Sequence, residues 1–191
     1  MMGVFARLSH KIGDNLVRSN VIKEEDAEIY VYGINQILVS VLNVSSALII
    51  GLILGMFLES IIFMVAYIPL RSFAGGYHAK TPVRCYFASL ILIFAALLFC
   101  KYVPFNLLLH GGMLLISSVE IAFLCPVQDN NKPLGGVEQR RYKRISIIIL
   151  LLEVGVWLLL TFVIHCFEQI IPIVVFMESV MLLIGKIKIH I

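Results

Sequence analysis

Two side chains in one short stretch could do covalent chemistry. In SFAGGYHAKTPVRCYF, residues 72–87, His78 precedes Cys85 by seven positions. A thiolate is a strong nucleophile, and an imidazole within reach can take its proton. Thr81-Pro82, between them, predicts a helix start, with Thr as the N-cap and Pro at the first helical position. Cys85 then falls in the first turn, where free N–H groups and the helix dipole favour negative charge. Lys80 and Arg84 add positive potential nearby. Gly75-Gly76 permits a turn closed to other residues, and such a turn could fold His78 back toward the thiol. Spacing leaves two readings open: an activated nucleophile with its base, or a packed thiol beside a solvated imidazole. One His and one Cys supply only two ligands, which argues against a metal site. No cofactor is expected.

The elements that must carry this stretch follow from composition. Of 191 residues, 60% are hydrophobic and 14% charged, and mean hydropathy is +0.98. A soluble domain needs about a quarter of its residues charged, so lipid must cover much of this surface. The apolar runs are continuous, not alternating, which argues against a closed barrel. The predicted class is an all-α polytopic membrane bundle, one domain over 1–191. Six spans can be drawn, near 30–54, 56–70, 86–100, 105–124, 145–165 and 170–185. The second and third are short, so their connection is expected to dip below the headgroups. Such interrupted backbone must line a polar cavity, not face lipid.

Residues 1–29 are too charged for a secretory signal. Val4, Leu8, Ile12 and Leu16 form a helical stripe opposite Arg7, Lys11 and Arg18, which predicts an amphipathic helix on the membrane surface or a cap packed on the bundle. With six spans, fourteen of the fifteen Lys and Arg fall on one side and Lys101 alone on the other. The positive-inside rule then puts both termini, the 71–85 loop and the 125–144 loop in the cytoplasm. Cysteines 85, 100, 125 and 166 contain no C-x-x-C; Cys85 and Cys125 face the reducing side, while Cys100 and Cys166, near outer helix ends, could pair only if the third and fifth spans touch there and are otherwise expected to be buried thiols.

The stretch RSFAGGYHAKTPVRC resembles the signature of the AgrB family, membrane cysteine endopeptidases of peptide quorum sensing. Arg71, Gly75, Gly76, His78, Ala79 and Cys85 match it, as do the length, the six-span layout and the basic loop after CPVQDNNKPLGG. The resemblance implies a cell-membrane protein of a Gram-positive bacterium, acting as a homodimer on a small AgrD-like propeptide. Cys85 would attack the bond before the propeptide's acidic tail, with His78 as base. An internal Cys or Ser would then resolve the thioester into a thiolactone or lactone ring. A recessed, partly dry site suits a thioester, whose acyl energy water would waste.

Other residues are less specific. Asn35 and Gln36 are candidates to donate to an oxyanion or orient the base. Arg71, Arg140, Arg141, Lys143 and Arg144 are candidates to hold the acidic tail. The last four could equally anchor the chain to anionic lipid. Glu120, Glu153 and Glu178 lie in or near spans, and intramembrane acids are functional suspects without an assigned role. Gly51 and Gly55 form a small-xxx-small pair suited to helix contact. The alternative from another class is a small-peptide transporter or channel without peptidase activity. No nucleic-acid partner is expected. Metalloprotease and serine-hydrolase signatures, H-E-x-x-H and G-x-S-x-G, are absent.

Overall fold

The computed structural model of the chain describes residues 2–77, 81–127 and 135–190. Among these the elements are helical: α1 (Met2–Arg18), a 3-10 turn at Glu24–Asp26, α2 (Ala27–Leu54), α3 (Phe57–Ala74), α4 (Pro82–Tyr102), α5 (Leu107–Leu124), α6 (Gly136–Leu159) with a π-helical turn at Leu160–Ile164, and α7 (Ile170–His190). Six of them, α2 to α7, are long and apolar enough to cross a membrane. The fold is an all-α polytopic bundle. Its outer face is apolar, with Ile53, Ile91, Leu108, Phe123 and Leu151 all exposed, as a surface solvated by lipid requires.

The second and third spans correct the sequence-based boundaries. α3 continues through Pro69 to Ala74, and α4 begins at Pro82. At 18 residues α3 is about 27 Å long, close to the ~30 Å hydrocarbon thickness. Arg71 and Ser72 disguise its last turn as loop. Spanning helices tolerate Pro because neighbouring groups satisfy the freed carbonyl. α7 likewise runs past Gly185 to His190.

α7 is the central helix, packed on α3, α4, α5 and α6. Ile170, Ile171, Ile173, Val174, Val175 and Leu182 are all buried, the expected fate of a helix that is apolar all round. One face joins Ala47, Phe63, Ile93, Ala96 and Leu97 of α2, α3 and α4. The other joins Leu70, Leu114, Ile121, Leu150 and Trp157 of α3, α5 and α6. In lipid such contacts are selected by packing and small residues, since apolar burial alone gains little. Gly51 is buried against Ser60 of α3, where a side chain would collide. Gly55 plays a different part from the expected helix contact: at φ +70° it is the left-handed cap of α2.

α1 folds against α2. Ser9 and Gly13 are buried, Gly13 directly against Val31, whereas Leu8 remains exposed. α1 thus packs on the bundle through α2, as the cap reading expected. Six antiparallel spans bring α1, residues 75–77 and 125–127 and the end of α7 to one end of the bundle. Direct bonds tie them there: Val127 N–H donates to Ala74 C=O at 2.9 Å, and Tyr77 N–H to Met181 C=O at 2.9 Å. At the opposite end, Lys101 Nζ donates to the Leu54 carbonyl at 2.8 Å.

Candidate active site

Cys85 sits in the first turn of α4. Thr81 has extended backbone and its hydroxyl accepts from Arg84 N–H at 3.4 Å; Pro82 opens the helix, and Cys85 N–H donates to Thr81 C=O at 3.1 Å. One turn on, Ser89 Oγ donates to the Cys85 carbonyl at 3.0 Å. A cap of this kind contributes about 1 kcal/mol. Its consequence for the site is positional: it fixes where the helix begins, and so fixes Cys85.

The half-buried Cys85 lines a cavity of about 200 Å³. Tyr67 and Arg71 of α3, Tyr77 of the connection, Ala88, Ser89 and Leu92 of α4, and Met181 of α7 form its other walls. A second cavity of about 210 Å³ adjoins it, with Tyr67, Ser89 and Leu92 common to both. The second is more apolar, lined by Val44, Ala47, Phe63, Met64 and Ile93, with Ser40 and Asn43 as further polar members. The site is a recess between α3, α4 and α7.

The backbone around this recess is tightly held. Gly75 and Gly76 adopt φ +82° and +120°, conformations closed to most residues. Gly75 pairs with Val127 as an isolated bridge, leaving no room for a Cβ. Arg71 turns back on the connection: Nη1 donates to Gly75 C=O and Nη2 to Tyr77 C=O, and Glu178 Oε1 lies 3.7 Å from Nη1. Arg71 was a candidate for the substrate's tail. Its guanidinium instead has three partners inside the protein, and its side chain is only 19% exposed.

His78, with Ala79 and Lys80, lies outside the described residues, as does Lys132. Asn35 and Gln36 do not reach the cavity of Cys85. Tyr86, next to Cys85, shares a 2.8 Å hydrogen bond with Ser46. Ser46 is ten residues beyond Gln36, or about 15 Å along α2. The two amides thus lie toward the start of α2, one turn before Ser40 of the adjoining cavity. Arg140, Arg141, Lys143 and Arg144 are exposed on the opening turns of α6. Tyr142 among them packs edge-on against Phe73 of α3, with centroids 5.6 Å apart. Among the described residues no three His, Cys, Asp or Glu side chains converge to hold a metal.

Several site residues had no part in the sequence-based site. Tyr67 lies four positions before Arg71, and Ser89 four after Cys85, so each shares a helix face with a flagged residue. Met181 and Gly185 carry no local signal, being about a hundred positions away. The other cysteines differ from Cys85. Cys100 and Cys125 are buried, whereas Cys166 is exposed, contrary to the expected burial. Burial pushes the Cys125 thiol up from its ordinary range, with Lys143 opposing.

Comparison with known proteins bears on this arrangement. The model of the family described as accessory gene regulator B matches residues 7–182. An AgrB-like protein of Listeria monocytogenes serotype 4a is 28% identical over 159 residues, 81% of this chain and 78% of that protein. The accessory gene regulator protein B of Staphylococcus aureus (strain bovine RF122) is 26% identical over 135 residues, 70% of each chain. Its namesake in Staphylococcus haemolyticus is 29% identical over the same length, again 70% of each chain. No solved structure matches the chain.

Proposed function

The chain belongs to the accessory gene regulator B family, and from that premise we propose that it is a membrane-embedded cysteine endopeptidase with Cys85 as nucleophile and His78 as base. The substrate is a small AgrD-like propeptide. The observation that carries this reading is the setting of Cys85: a capped helix start opening into a recess with polar walls, at the end of the bundle where basic residues gather.

The reaction balances as two acyl transfers. His78 accepts the Cys85 proton as Sγ attacks the carbonyl before the propeptide's tail. The C–N bond breaks, and the departing amine takes that proton from His78. The peptide remains as a thioester on Cys85. An internal thiol or hydroxyl of the peptide then gives its proton to His78 and attacks the thioester carbonyl. A ring closes, and Cys85 regains its proton. The recess suits this sequence because water competes with the internal nucleophile for the thioester. Arg140, Arg141, Lys143 and Arg144 receive the acidic tail on the cytoplasmic side, and the protein works as a homodimer in the cell membrane, as the family resemblance implies.

The test is cleavage by purified protein in detergent of the AgrD-like propeptide encoded beside its gene. Wild type releases the tail. Cys85→Ala and His78→Ala express and fold but release none, and single Ala replacements of Cys100, Cys125 and Cys166 cleave normally. Wild-type cleavage by Cys85→Ala removes the peptidase reading at this site.

A further inference from the structure

Glu178, at the middle of α7, takes no part in the reaction above. It is fully buried, and both carboxylate oxygens lack a hydrogen bond among the described residues. Its polar neighbours are Tyr67 and Arg71, and Arg71 Nη1 lies 3.7 Å from Glu178 Oε1. A carboxylate is rarely buried in a membrane bundle without a partner or a task. Here it faces the one guanidinium that grips the connection before the site. Arg71 holds the carbonyls of Gly75 and Tyr77, acceptors that lie in irregular backbone. A planar fork can hold two such carbonyls at once, which an ammonium group cannot match.

The rest of the α7 face points the same way. Met181, three residues after Glu178, accepts from Tyr77 N–H at 2.9 Å. Gly185, four residues further, has Gly76 C and Tyr77 N within 2.6 Å of where a Cβ would stand. Positions three and four apart lie on one helix face. Residues 178, 181 and 185 thus form one stripe against residues 75–77, with Arg71 interposed at its upper end.

We propose that Glu178 is a positioning residue, which fixes the Arg71 guanidinium and through it the backbone of Gly75 to Tyr77 against α7, and so sets one wall of the Cys85 recess. The chain enters position 78 from this held segment. The proposal rests on the reading of Cys85 as nucleophile, and it assigns Arg71 to the protein's own backbone and not to the substrate's tail.

The experiment uses the full chain in detergent and the same propeptide, with Glu178→Gln, Arg71→Lys, and the double replacement Arg71→Met/Glu178→Leu. Removing one member of a buried pair strands the other, whereas removing both can leave stability intact. Each variant has its thermal midpoint, kcat and KM measured. The alkylation rate of Cys85 by iodoacetamide is followed by mass spectrometry, a readout that does not depend on peptidase activity. Glu178→Gln and Arg71→Lys lower kcat about tenfold or more with KM unchanged, since small misplacement of a reacting group can cost up to ~100-fold. Both also speed Cys85 alkylation as the wall loosens. The double variant recovers its thermal midpoint but not its kcat. Wild-type kcat in Glu178→Gln, or joint recovery of midpoint and kcat in the double variant, overturns the proposal. If Cys85→Ala still cleaves, the peptidase reading has failed by itself. Unchanged Cys85 alkylation in Glu178→Gln then overturns the positioning role separately.

Discussion

Gly185 has no side chain where a side chain would have no space. A Cβ there would stand 2.6 Å from Gly76 C and Tyr77 N, and both are backbone atoms that cannot rotate aside. Gly185→Ala must therefore push α7 off the connection. The expected outcome is a lower thermal midpoint, with a loss of about 1–3 kcal/mol as for other overpacked cores, together with reduced cleavage. A midpoint and turnover equal to wild type would show that the junction yields. The thiols permit a second test. Burial raises the Cys125 thiol, so less of it is thiolate at any given pH and it alkylates slowly. In mass-mapped alkylation near neutral pH, Cys85 should be modified well before Cys125. Unfolding in denaturant should remove the difference. Equal rates in the folded protein would refute the assignment of Cys85 to an open recess.

α6 brings a basic, exposed helix start to the same end of the bundle. Arg140, Arg141, Lys143 and Arg144 all face outward, while Tyr142 docks on Phe73 near the end of α3. That docking sets this helix start beside the last turn of α3. Exposed ion pairs are each worth about 1 kcal/mol or less, and salt screens them within ~10 Å at 0.1 M. Single substitutions should therefore change cleavage little. Reversing three of the four charges should weaken cleavage of the native propeptide and make the remainder insensitive to salt. Replacing the tail acids by Lys should restore part of it. No rescue, with no salt dependence in wild type, would assign the cluster to lipid anchoring. The exposure of these four residues was legible in the sequence, whereas the distance of Asn35 and Gln36 from the recess was not. A charge cluster at a helix start faces solvent wherever the helix docks. An amide within a span reaches a site only if the helix sets it at the right height, and Asn35 and Gln36 do not line the Cys85 cavity.

Across the whole molecule, six crossings put α1, the recess, the start of α6 and the end of α7 at one end, and Lys101 at the other. The six-span reading of the sequence puts fourteen of fifteen Lys and Arg on the first side, and on the positive-inside rule we propose that this side faces the cytoplasm. Single-cysteine variants in a background lacking the native cysteines give the check. An impermeant maleimide added to intact cells should label Lys101→Cys and spare Arg140→Cys and Lys188→Cys. Labelling of either of the latter two would invert or break the topology. The same global arrangement makes α7 the central helix, buried on more of its surface than any other span. Truncation before Ile170 should leave no stable bundle, read as loss of a folded monodisperse species in detergent.

The order of amino acids is enough to make this chain a helical membrane bundle, because hydropathy is summed over whole segments and needs no knowledge of neighbours. It also determined the helix start at Thr81-Pro82, since a cap and a fixed φ act within one turn, and the pliant backbone at Gly75-Gly76, for the same local reason. Tertiary structure alone decided what those features face. Nothing within ten residues of Arg71 reveals that its partner is Glu178, more than a hundred positions on, or that Met181 and Gly185 close on Tyr77 and Gly76. Those contacts follow from how α7 inserts between α3, α4, α5 and α6. Packing of this kind depends on the shapes of several helices at once, and no periodicity along one of them encodes it.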